Sequence, residues 1–397
     1  MKREAPALEA ALAQLEAAQL RRARVTVEQR APSGRTLILE GGRELIDFSS
    51  NDYLGLARHP ALVRALAESA AHAGAGSGAS HLITGHGTEH ARLEEELAAF
   101  SRRERALLFS TGYMANLAVI TALAGRGERV LLDRLCHASL IDGARLSGAT
   151  LVRYAHGAAD EAARLIDGDP EHTVLLATDG VFSMDGDLAP LPELSRCART
   201  HGLWLVVDDA HGLGVIGTHG GGVLEHFGLG CDAVPVLVGT LGKAFGSFGA
   251  FVAGSAALIE FLIQKARTYI YTTALPQPVA AATRAALALI RQESGRRERL
   301  VSLVTRFRAA AHAAGVPLGS SSSTPLQPVL LGSPAAALAA QGQLAAAGYW
   351  VVAIRPPTVP AGSARLRITL SAGHTEAQID ALAAELGALL ARGVHEA

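Results

Sequence analysis

Short apolar runs alternate with helical segments from about residue 106 onward, and this alternation constrains the fold more than any other feature of the sequence. Five runs stand out, at residues 106–109, 130–132, 174–177, 203–207 and 234–238. Strands that alternate with helices predict the α/β class, with a mainly parallel sheet covered by helices. In such sheets ligands bind at the carboxyl ends of the strands. The residues that follow each run are therefore the first candidates for a site.

Polar or glycine-rich segments follow all five runs. After the first run, Gly112 opens a predicted helix, and the free N–H groups of a helix N-terminus favour a phosphate. The second run is followed by an imidazole, and the third by a loop that contains a serine hydroxyl. The fourth is followed by an aspartate and a histidine, and the fifth by a threonine and a lysine. The residues at these four ends are His137, Ser183, Asp208 with His211, and Thr240 with Lys243.

Lys243 stands in the glycine-rich segment 239–246, directly after the last apolar run. A lysine near the end of a buried strand can be desolvated and lose its charge, which makes its amine a nucleophile. A phosphate-binding P-loop is rejected, because it needs glycine five residues before Gly242 and Ser or Thr after the lysine. This chain has Leu237 and Ala244 there. From the segment alone, a surface lysine in a glycine-rich turn stays an equal alternative.

Each strand-end residue also has an ordinary structural interpretation when it is taken alone. His137 could be an interior histidine with satisfied hydrogen bonds, and Asp208 could cap a helix. Together, however, the five ends supply a phosphate site, an imidazole, a hydroxyl, an Asp–His pair and a lysine. Pyridoxal phosphate needs these parts in one place. The convergence therefore favours an enzyme with this cofactor.

Composition and charge exclude several classes of protein. The chain has 397 residues, of which 49% are hydrophobic and 18% charged, and its formal net charge is −1. This balance predicts a globular protein with no nucleic-acid partner and no acidic-membrane partner. No apolar run approaches the roughly 18 residues of a spanning helix. The three cysteines, Cys136, Cys197 and Cys231, are well separated along the chain, and the N-terminus has no signal or transit features. Both observations predict a cytoplasmic location.

The length predicts a large and a smaller domain. We expect an N-terminal helix and hairpin arm over 1–48, a large cofactor-binding domain over 49–290, and a small α+β domain over 291–397. In the arm, three leucines fall at helical spacing and three arginines follow at the expected C-terminal end of the helix, where cations favour the helix dipole. These residues are Leu8, Leu12 and Leu15, and Arg21, Arg22 and Arg24.

Two segments resemble known motifs only superficially. The glycine-rich segment 74–78 follows a predicted helix, whereas a dinucleotide-binding fingerprint follows a strand. Between His86 and His90, Glu89 is in the wrong place for the zinc motif HExxH. We therefore expect structural or ligand-lining loops at both places and no metal ion.

These residues together resemble the α-oxoamine synthases, pyridoxal-phosphate enzymes of fold type I, the aspartate-aminotransferase-like fold. The resemblance covers nearly the whole chain. Small departures are Asp179 where glutamate is usual, Cys136 where serine is usual, and Ala79-Ser80 in a glycine-rich loop. The segments that carry the resemblance are 49–56, 112–116, 133–139, 180–187, 208–212, 239–246 and 354–370.

The resemblance implies a role for each matching cofactor residue. Lys243 would form the imine with the cofactor aldehyde. Asp208 would pair with the pyridine nitrogen and His211 with the phenolic oxygen, while His137 would stack on the ring. The remaining cofactor contacts would be Ser183, then Gly112, Tyr113 and Thr240 on the phosphate side, and Thr272 from the partner subunit of a homodimer.

The resemblance also implies the substrates, L-alanine and a pimeloyl thioester carried by coenzyme A or an acyl-carrier protein, which are joined with loss of carbon dioxide. Arg367 would take the alanine carboxylate, although the alternating strand 364–370 places Arg365 on the same face and the pattern alone does not choose. The other substrate residues would be Arg21, Thr358, His137 and, less clearly, Asn51.

Three alternatives stay open at this point. Another α-oxoamine synthase would condense glycine with acetyl- or succinyl-coenzyme A, or serine with a long acyl thioester. An aminotransferase would use Arg367 in the same way. A pyridoxal-phosphate-sensing regulator would need a DNA-binding domain, and only about 48 residues precede the core.

Overall fold

The computed structural model describes residues 5–31, 34–319 and 322–393. The chain divides into two compact units. The large unit consists of Asn51–Ser183 and Asp187–Glu298, and the small unit of Met1–Ser50, Met184–Gly186 and Arg299–Ala397. The expected domain limits at 48/49 and 290/291 stay predictions.

The described residues form strands and helices in the order β1 (Val27–Arg30), β2 (Thr36–Leu39), β3 (Glu44–Asp47), β4 (Arg105–Phe109), β5 (Arg129–Asp133), β6 (Thr150–Tyr154), β7 (Thr173–Asp179), β8 (Trp204–Asp208), β9 (Val236–Thr240), β10 (Ala250–Gly254), β11 (Leu326–Gly332), β12 (Tyr349–Trp350), β13 (Val352–Ile354) and β14 (Ala364–Thr369). The α-helices are α1 (Ala5–Ala17), α2 (Pro60–Ala73), α3 (Thr88–Phe100), α4 (Gly112–Leu123), α5 (Ala138–Ser147), α6 (Ala159–Asp167), α7 (Leu191–Thr200), α8 (Gly222–Phe227), α9 (Ala256–Lys265), α10 (Arg267–Ile270), α11 (Gln277–Gln292), α12 (Ser294–Ala313), α13 (Pro334–Ala346) and α14 (Glu376–Arg392). A π-helical turn spans His81–Gly85.

A seven-stranded sheet forms the core of the large unit, in the order β4-β10-β9-β8-β7-β5-β6. Strands β5 to β9 run parallel, and β10 lies antiparallel between β4 and β9. The prediction of an α/β fold with a mainly parallel sheet is therefore confirmed. The apolar runs did not reveal β6, which is partly exposed, or β10, which follows the glycine-rich segment directly.

Register brings the ends of the parallel strands to one edge of this sheet. Asp179 at the end of β7 lies opposite Asp208 at the end of β8, and Asp208 lies opposite Val238 near the end of β9. The strand interiors are fully buried apolar side chains, such as Leu175, Val206 and Val236. Because these strands are buried on both faces, a slip of one residue would pull a polar end residue such as Asp208 into the apolar interior, where it would lose its hydrogen-bond partners. The same packing places the polar ends of β7 and β8 beside the end of β9.

Two small sheets belong to the small unit, β1-β2-β3-β12 and β11-β14-β13. In β14, Arg365 lies opposite Leu330 and Arg367 opposite Pro328. The hairpin expected within the arm over 1–48 is present as β2 and β3.

One expectation in the N-terminal arm is wrong in detail. Helix α1 ends at Ala17, and Gln19 follows with φ 55°, a left-handed conformation that does not continue a helix. Arg21 and the other two arginines therefore follow the helix instead of occupying its last turn. Within the part of the chain that the structure describes, no helix has both the length and the apolar character needed to cross a membrane.

Candidate active site

Lys243 lies in the turn between β9 and β10, where the backbone folds tightly against another segment. Gly246 has φ 62°, and a side chain there would strike the backbone of Leu56 and Ala57. Only glycine satisfies both conditions without strain. The glycine-rich composition around Lys243 thus has a packing cause as well as a chemical one.

The amine of Lys243 contacts a chain of polar groups. Its Nζ lies 2.8 Å from His211 Nε2, and His211 Nδ1 lies 2.5 Å from the hydroxyl of Tyr53. The Tyr53 hydroxyl lies 3.4 Å from Asn51 Oδ1. With Lys243 donating to Nε2, His211 carries its proton on Nδ1 and donates to Tyr53, which donates to Asn51. The strand-end histidine is therefore oriented from both of its nitrogens.

A second chain of hydrogen bonds connects Asp208 to His137. Asn116, on α4, donates through Nδ2 to Asp208 Oδ2 at 2.6 Å and to Ser139 Oγ at 2.8 Å. Ser139 Oγ lies 2.7 Å from His137 Nδ1. Asp208 Oδ1 accepts from the backbone N–H of Ala210 at 3.0 Å. Both side chains that are expected to face the cofactor ring are thus held by one buried network.

Asp179 completes this network at the end of the neighbouring strand. Both of its carboxylate oxygens accept from the backbone N–H of His137, at 3.1 and 3.3 Å. Burial, reinforced by the charge of Asp208, raises the pKa of Asp179 well above its usual range. Burial also lowers the pKa of His137, although Asp208 opposes that shift. This environment therefore favours the neutral form of the His137 ring.

The N-terminus of α4 offers the phosphate site. Thr111 caps the helix, because its hydroxyl accepts from Met114 N–H at 3.2 Å. The amides of Gly112 and Tyr113 precede the first intrahelical bond, so they are available to a ligand. A Cβ built on Gly112 meets no atom within 4 Å. This open space above a helix N-terminus suits an anion.

The donor set therefore fits pyridoxal phosphate. A half-buried amine, a buried carboxylate, an imidazole and the first turn of a helix all belong to the large unit, on β-strand ends and on α4. Thr240 ends β9, with its hydroxyl donating to Gly249 O at 3.2 Å. Ser183 lies in the loop after β7, and Thr272 in the segment between α10 and α11, both partly buried.

The small unit holds most of the expected substrate residues. Arg21 and Thr358 line one cavity of about 600 Å³, and Arg22 donates to the Thr358 hydroxyl at 3.3 Å. Asn51, by contrast, belongs to the large unit, beside Tyr53.

The two arginines of β14 differ in their surroundings. Arg365 is 5% exposed, and its guanidinium bonds Asp185 Oδ1 at 2.5 Å, Met184 O at 3.2 Å and Ser363 O at 3.0 Å. Arg367 is only partly buried. The guanidinium of Arg365 is thus occupied by hydrogen bonds to other residues of the small unit.

Four residues near the strand ends were not predicted as site residues: Tyr53, Asn116, Ser139 and Asp179. The sequence carried weak signals for two of them. Asn116 falls one helical turn after Gly112, and Asp179 ends an apolar run. No local pattern indicated Tyr53 or Ser139. Tyr53 contacts His211 and Ser139 contacts Asn116, and both partners lie far away along the chain.

Comparison with known sequences also supports a pyridoxal-phosphate enzyme of the aminotransferase-like fold, over most of the chain. The aminotransferase class I and II family profile matches residues 43–386. The chain is 58% identical over 372 residues to the 8-amino-7-oxononanoate synthase of Methylococcus capsulatus, which covers 94% of this chain and 95% of that protein. It is 60% identical over 342 residues to the protein of that name from Thioalkalivibrio sulfidiphilus, with coverages of 86% and 87%.

Solved structures extend the similarity to the fold. Serine palmitoyltransferase from S. paucimobilis, solved with a pyridoxal phosphate–myriocin adduct, superposes with a TM-score of 0.91 at 32% identity, covering 98% of both chains. The 8-amino-7-oxononanoate synthase of Francisella tularensis superposes with a TM-score of 0.77 at 33% identity, covering 88% of this chain and 98% of that one. The chain therefore belongs to the aminotransferase class I and II family, and the two relatives described above, at 58% and 60% identity, are 8-amino-7-oxononanoate synthases.

Proposed function

We propose that this chain is a pyridoxal-phosphate-dependent acyltransferase that makes 8-amino-7-oxononanoate for biotin biosynthesis. L-alanine and a pimeloyl thioester would condense, releasing carbon dioxide and the free thiol of the carrier. The observation that carries the proposal is the identity of 58% to a synthase of that name over 94% of the chain. The contact of 2.8 Å between Lys243 and His211, together with the buried carboxylate of Asp208, is consistent with pyridoxal-phosphate chemistry.

When bound, pyridoxal phosphate supplies an aldehyde for the lysine amine and a protonated ring that withdraws electrons from the substrate Cα. Gly112, Tyr113 and Thr240 would hold its phosphate, and Ser183 and Thr272 would add contacts, Thr272 across a dimer. Asp208 would keep the pyridine nitrogen protonated, because a close opposite charge favours the charged form.

Lys243 would have two tasks. Its amine would be the nucleophile toward the cofactor aldehyde, and as a free amine it would act as the general base for the proton on the alanine Cα. His211, 2.8 Å from Nζ, would hold the phenolic oxygen side of the site and orient the amine. His137 would cover one ring face, held in place by Ser139 and by Asp179 through its backbone.

Arg367 would bind the alanine carboxylate in a bidentate manner. A planar guanidinium fixes both carboxylate oxygens, and so fixes which Cα bond is oriented for cleavage. Arg365 is a poorer choice because Asp185 and two carbonyl groups already occupy its guanidinium. Arg21 and Thr358, which line one cavity, would contact the acyl substrate, and Asn51 is a weaker candidate.

The setting of the enzyme is part of the proposal. We place it in the cytoplasm as a homodimer that uses coenzyme A or an acyl-carrier protein as the acyl carrier. Three cysteines without disulfide bonds, Cys136, Cys197 and Cys231, suit a reducing compartment.

The decisive experiment identifies the product. The purified enzyme is offered alanine, glycine or serine, each with pimeloyl, acetyl or palmitoyl thioesters, and products are identified by mass spectrometry. We expect 8-amino-7-oxononanoate from alanine and the pimeloyl thioester, at a kcat/KM well above every other pair. Preference for glycine with acetyl thioester, or for serine with palmitoyl thioester, would assign the chain to another α-oxoamine synthase activity. Amino-group transfer to a keto acid without condensation would identify an aminotransferase.

A further inference from the structure

Three histidines form a cluster on the large unit that the proposed chemistry does not use. His81 begins the π-helical turn His81–Gly85, and His90 lies in the first turn of α3, with His86 between the two elements. Within the described residues, these side chains form the only group of metal-ligand type whose donor atoms all lie within 4.8 Å of one another. The π-helical turn is a second unusual feature, because such turns occur frequently at functional sites.

The arrangement of the three rings matches that around a metal ion. The ring centroids of His81 and His86 are 5.1 Å apart, those of His81 and His90 5.1 Å, and those of His86 and His90 5.5 Å. A tetrahedral zinc ion with bonds of about 2.1 Å to imidazole nitrogens holds the ring centroids about 5 Å apart. The Nδ1 atoms of His81 and His86 already face each other at 2.9 Å.

Two of the three Nε2 atoms lie near an oxygen of the kind that orients metal-binding histidines, one within hydrogen-bond distance and one farther away. His90 Nε2 lies 2.6 Å from the carbonyl oxygen of Leu275, and His86 Nε2 lies 3.9 Å from Glu94 Oε2. Backbone carbonyls and carboxylates in these positions orient ligating imidazoles and increase their basicity. The ring of His81 is stacked on Tyr269 at 5.0 Å, with an angle of 10° between the planes.

Two hydrogen bonds compete with a metal ion for the Nδ1 atoms. His81 and His86 share one bond, and His90 Nδ1 accepts from Gly87 N–H at 2.9 Å. Taking the acceptor away from the Gly87 N–H lowers the binding constant by roughly 10- to 100-fold, and breaking the bond between His81 and His86 lowers it by about tenfold or less. Structural zinc sites bind their ion with constants on the order of 10⁷ M⁻¹ or more. Ligation therefore outweighs the two bonds it replaces.

We propose that His81, His86 and His90 bind one divalent transition-metal ion of the zinc class through their Nδ1 atoms. His81 and His90 are buried, whereas His86 is exposed on the single chain, so a water molecule can serve as the fourth ligand. The ion would connect the π-helical turn to the start of α3 and, through His90, to the segment at Leu275. Sequence spacing concealed this site because it is HxxxxHxxxH and not HExxH.

The test is a titration of zinc chloride into chelator-treated holoenzyme at pH 8, followed by calorimetry. We expect about one zinc ion per chain, and cobalt(II) should give the visible bands of a tetrahedral ion. His86→Asn should weaken zinc binding by about 100-fold or more, because losing a ligand exceeds the 10- to 100-fold effect of losing an outer partner. The absorbance of the bound cofactor verifies that the His86→Asn enzyme keeps an intact cofactor site.

His172→Asn is the matched control, since His172 is an exposed histidine that pairs with Asp169 away from the cluster. It should bind zinc as the unmodified enzyme does. Absence of zinc binding in the micromolar range, or equal binding by the His86→Asn enzyme, would overturn the proposal. Loss of zinc binding together with a changed cofactor spectrum in His86→Asn would also overturn it, by placing the ion at the cofactor.

Discussion

Asp208 is the single residue whose charge should matter most to the rate. Its carboxylate accepts from Asn116 and from the backbone of Ala210, so Asp208→Asn keeps nearly the same volume while removing the charge. The electron sink is needed as negative charge develops at Cα, so the loss should appear in kcat. We expect kcat to fall on the order of 10²-fold, with a smaller change in the apparent affinity for alanine.

Asp209→Asn is the matched control for that change. Asp209 is fully buried beside Asp208 and accepts from Val223 N–H at 2.8 Å, and burial raises its pKa well above the usual range. Steady-state kinetics on both variants, with cofactor content measured, separates the two carboxyl groups. If Asp208→Asn kept normal turnover while Asp209→Asn lost it, the role assigned to Asp208 would belong to its neighbour.

Arg367 makes a prediction about substrate affinity. Losing a charge-assisted bidentate contact in a partly buried site costs on the order of 2–4 kcal/mol. Arg367→Ala should therefore raise the apparent Kd for L-alanine by roughly 10²- to 10³-fold. Arg367→Lys should restore only part of the affinity, because an ammonium group does not hold both oxygens in one plane. Alanine titration, followed by cofactor absorbance, measures these values.

Arg365→Ala tests the choice between the two arginines. Because Arg365 is buried and paired with Asp185, its removal leaves a carboxylate without its cation and should lower the melting temperature. Alanine affinity should change little. The assignment fails if Arg365→Ala loses alanine binding while Arg367→Ala binds alanine normally.

At the scale of elements, His156 connects two strand-end loops. Its Nδ1 lies 3.1 Å from Asp133 at the end of β5, and its Nε2 lies 2.9 Å from Asp187 in the loop after β7. The ring also packs edge-on against Phe182, with centroids 4.3 Å apart. These two loops carry His137 and Ser183, so the imidazole connects the two segments that are proposed to face the cofactor.

The ionisation of His156 gives a prediction for pH. Burial alone lowers its pKa, but the hydrogen bonds to Asp133 and Asp187 outweigh burial and raise the pKa to about 10. Because the folded pKa lies above the ordinary value of about 6.5, the stabilisation is complete below that pH and is lost as pH rises through about 10. Melting temperatures between pH 7 and 10 should therefore fall for the unmodified enzyme and fall less steeply for His156→Asn.

The control for this element is again an exposed pair. His172 and Asp169 are solvent-exposed, and such pairs contribute little to stability. His172→Asn should leave the melting curve unchanged at every pH. If His156→Asn had the same pH slope as the unmodified enzyme, the imidazole would not be charged in the fold.

At the scale of the whole molecule, the proposed dimer is open to test. The large unit exposes several big apolar side chains, among them Ile83 at 75%, Tyr271 at 71% and Phe248 at 50%. Apolar surface of this kind favours association. Light scattering should give twice the mass of one chain, and Tyr271→Glu with Phe248→Glu should raise the monomer fraction and lower cofactor affinity, because Thr272 would be supplied in trans. A monomer of full activity would contradict the dimer.

The sequence by itself determined the α/β fold and the order of chemical groups along the sheet edge. Both depend on local patterns: apolar runs that must be buried, and polar residues placed directly after them. The same logic made Lys243 a candidate, because a glycine-rich turn after a buried strand is visible in a few consecutive residues, although that segment alone left a surface lysine as an equal alternative. Helix α4 beginning at Gly112 and strand β14 at 364–369 were likewise predictable from short-range features.

The tertiary structure alone decided which partners these groups have. The alternation of side chains along strand β14 places Arg365 and Arg367 on one face. Only the fold shows that Arg365 is paired with Asp185, 180 positions away. Asn116 reaches Asp208 across 92 positions in the same way. The histidine cluster depends on a π-helical turn that no periodicity indicated. Such pairs are set by strand register and by packing between distant segments, and a local sequence pattern contains no information about either.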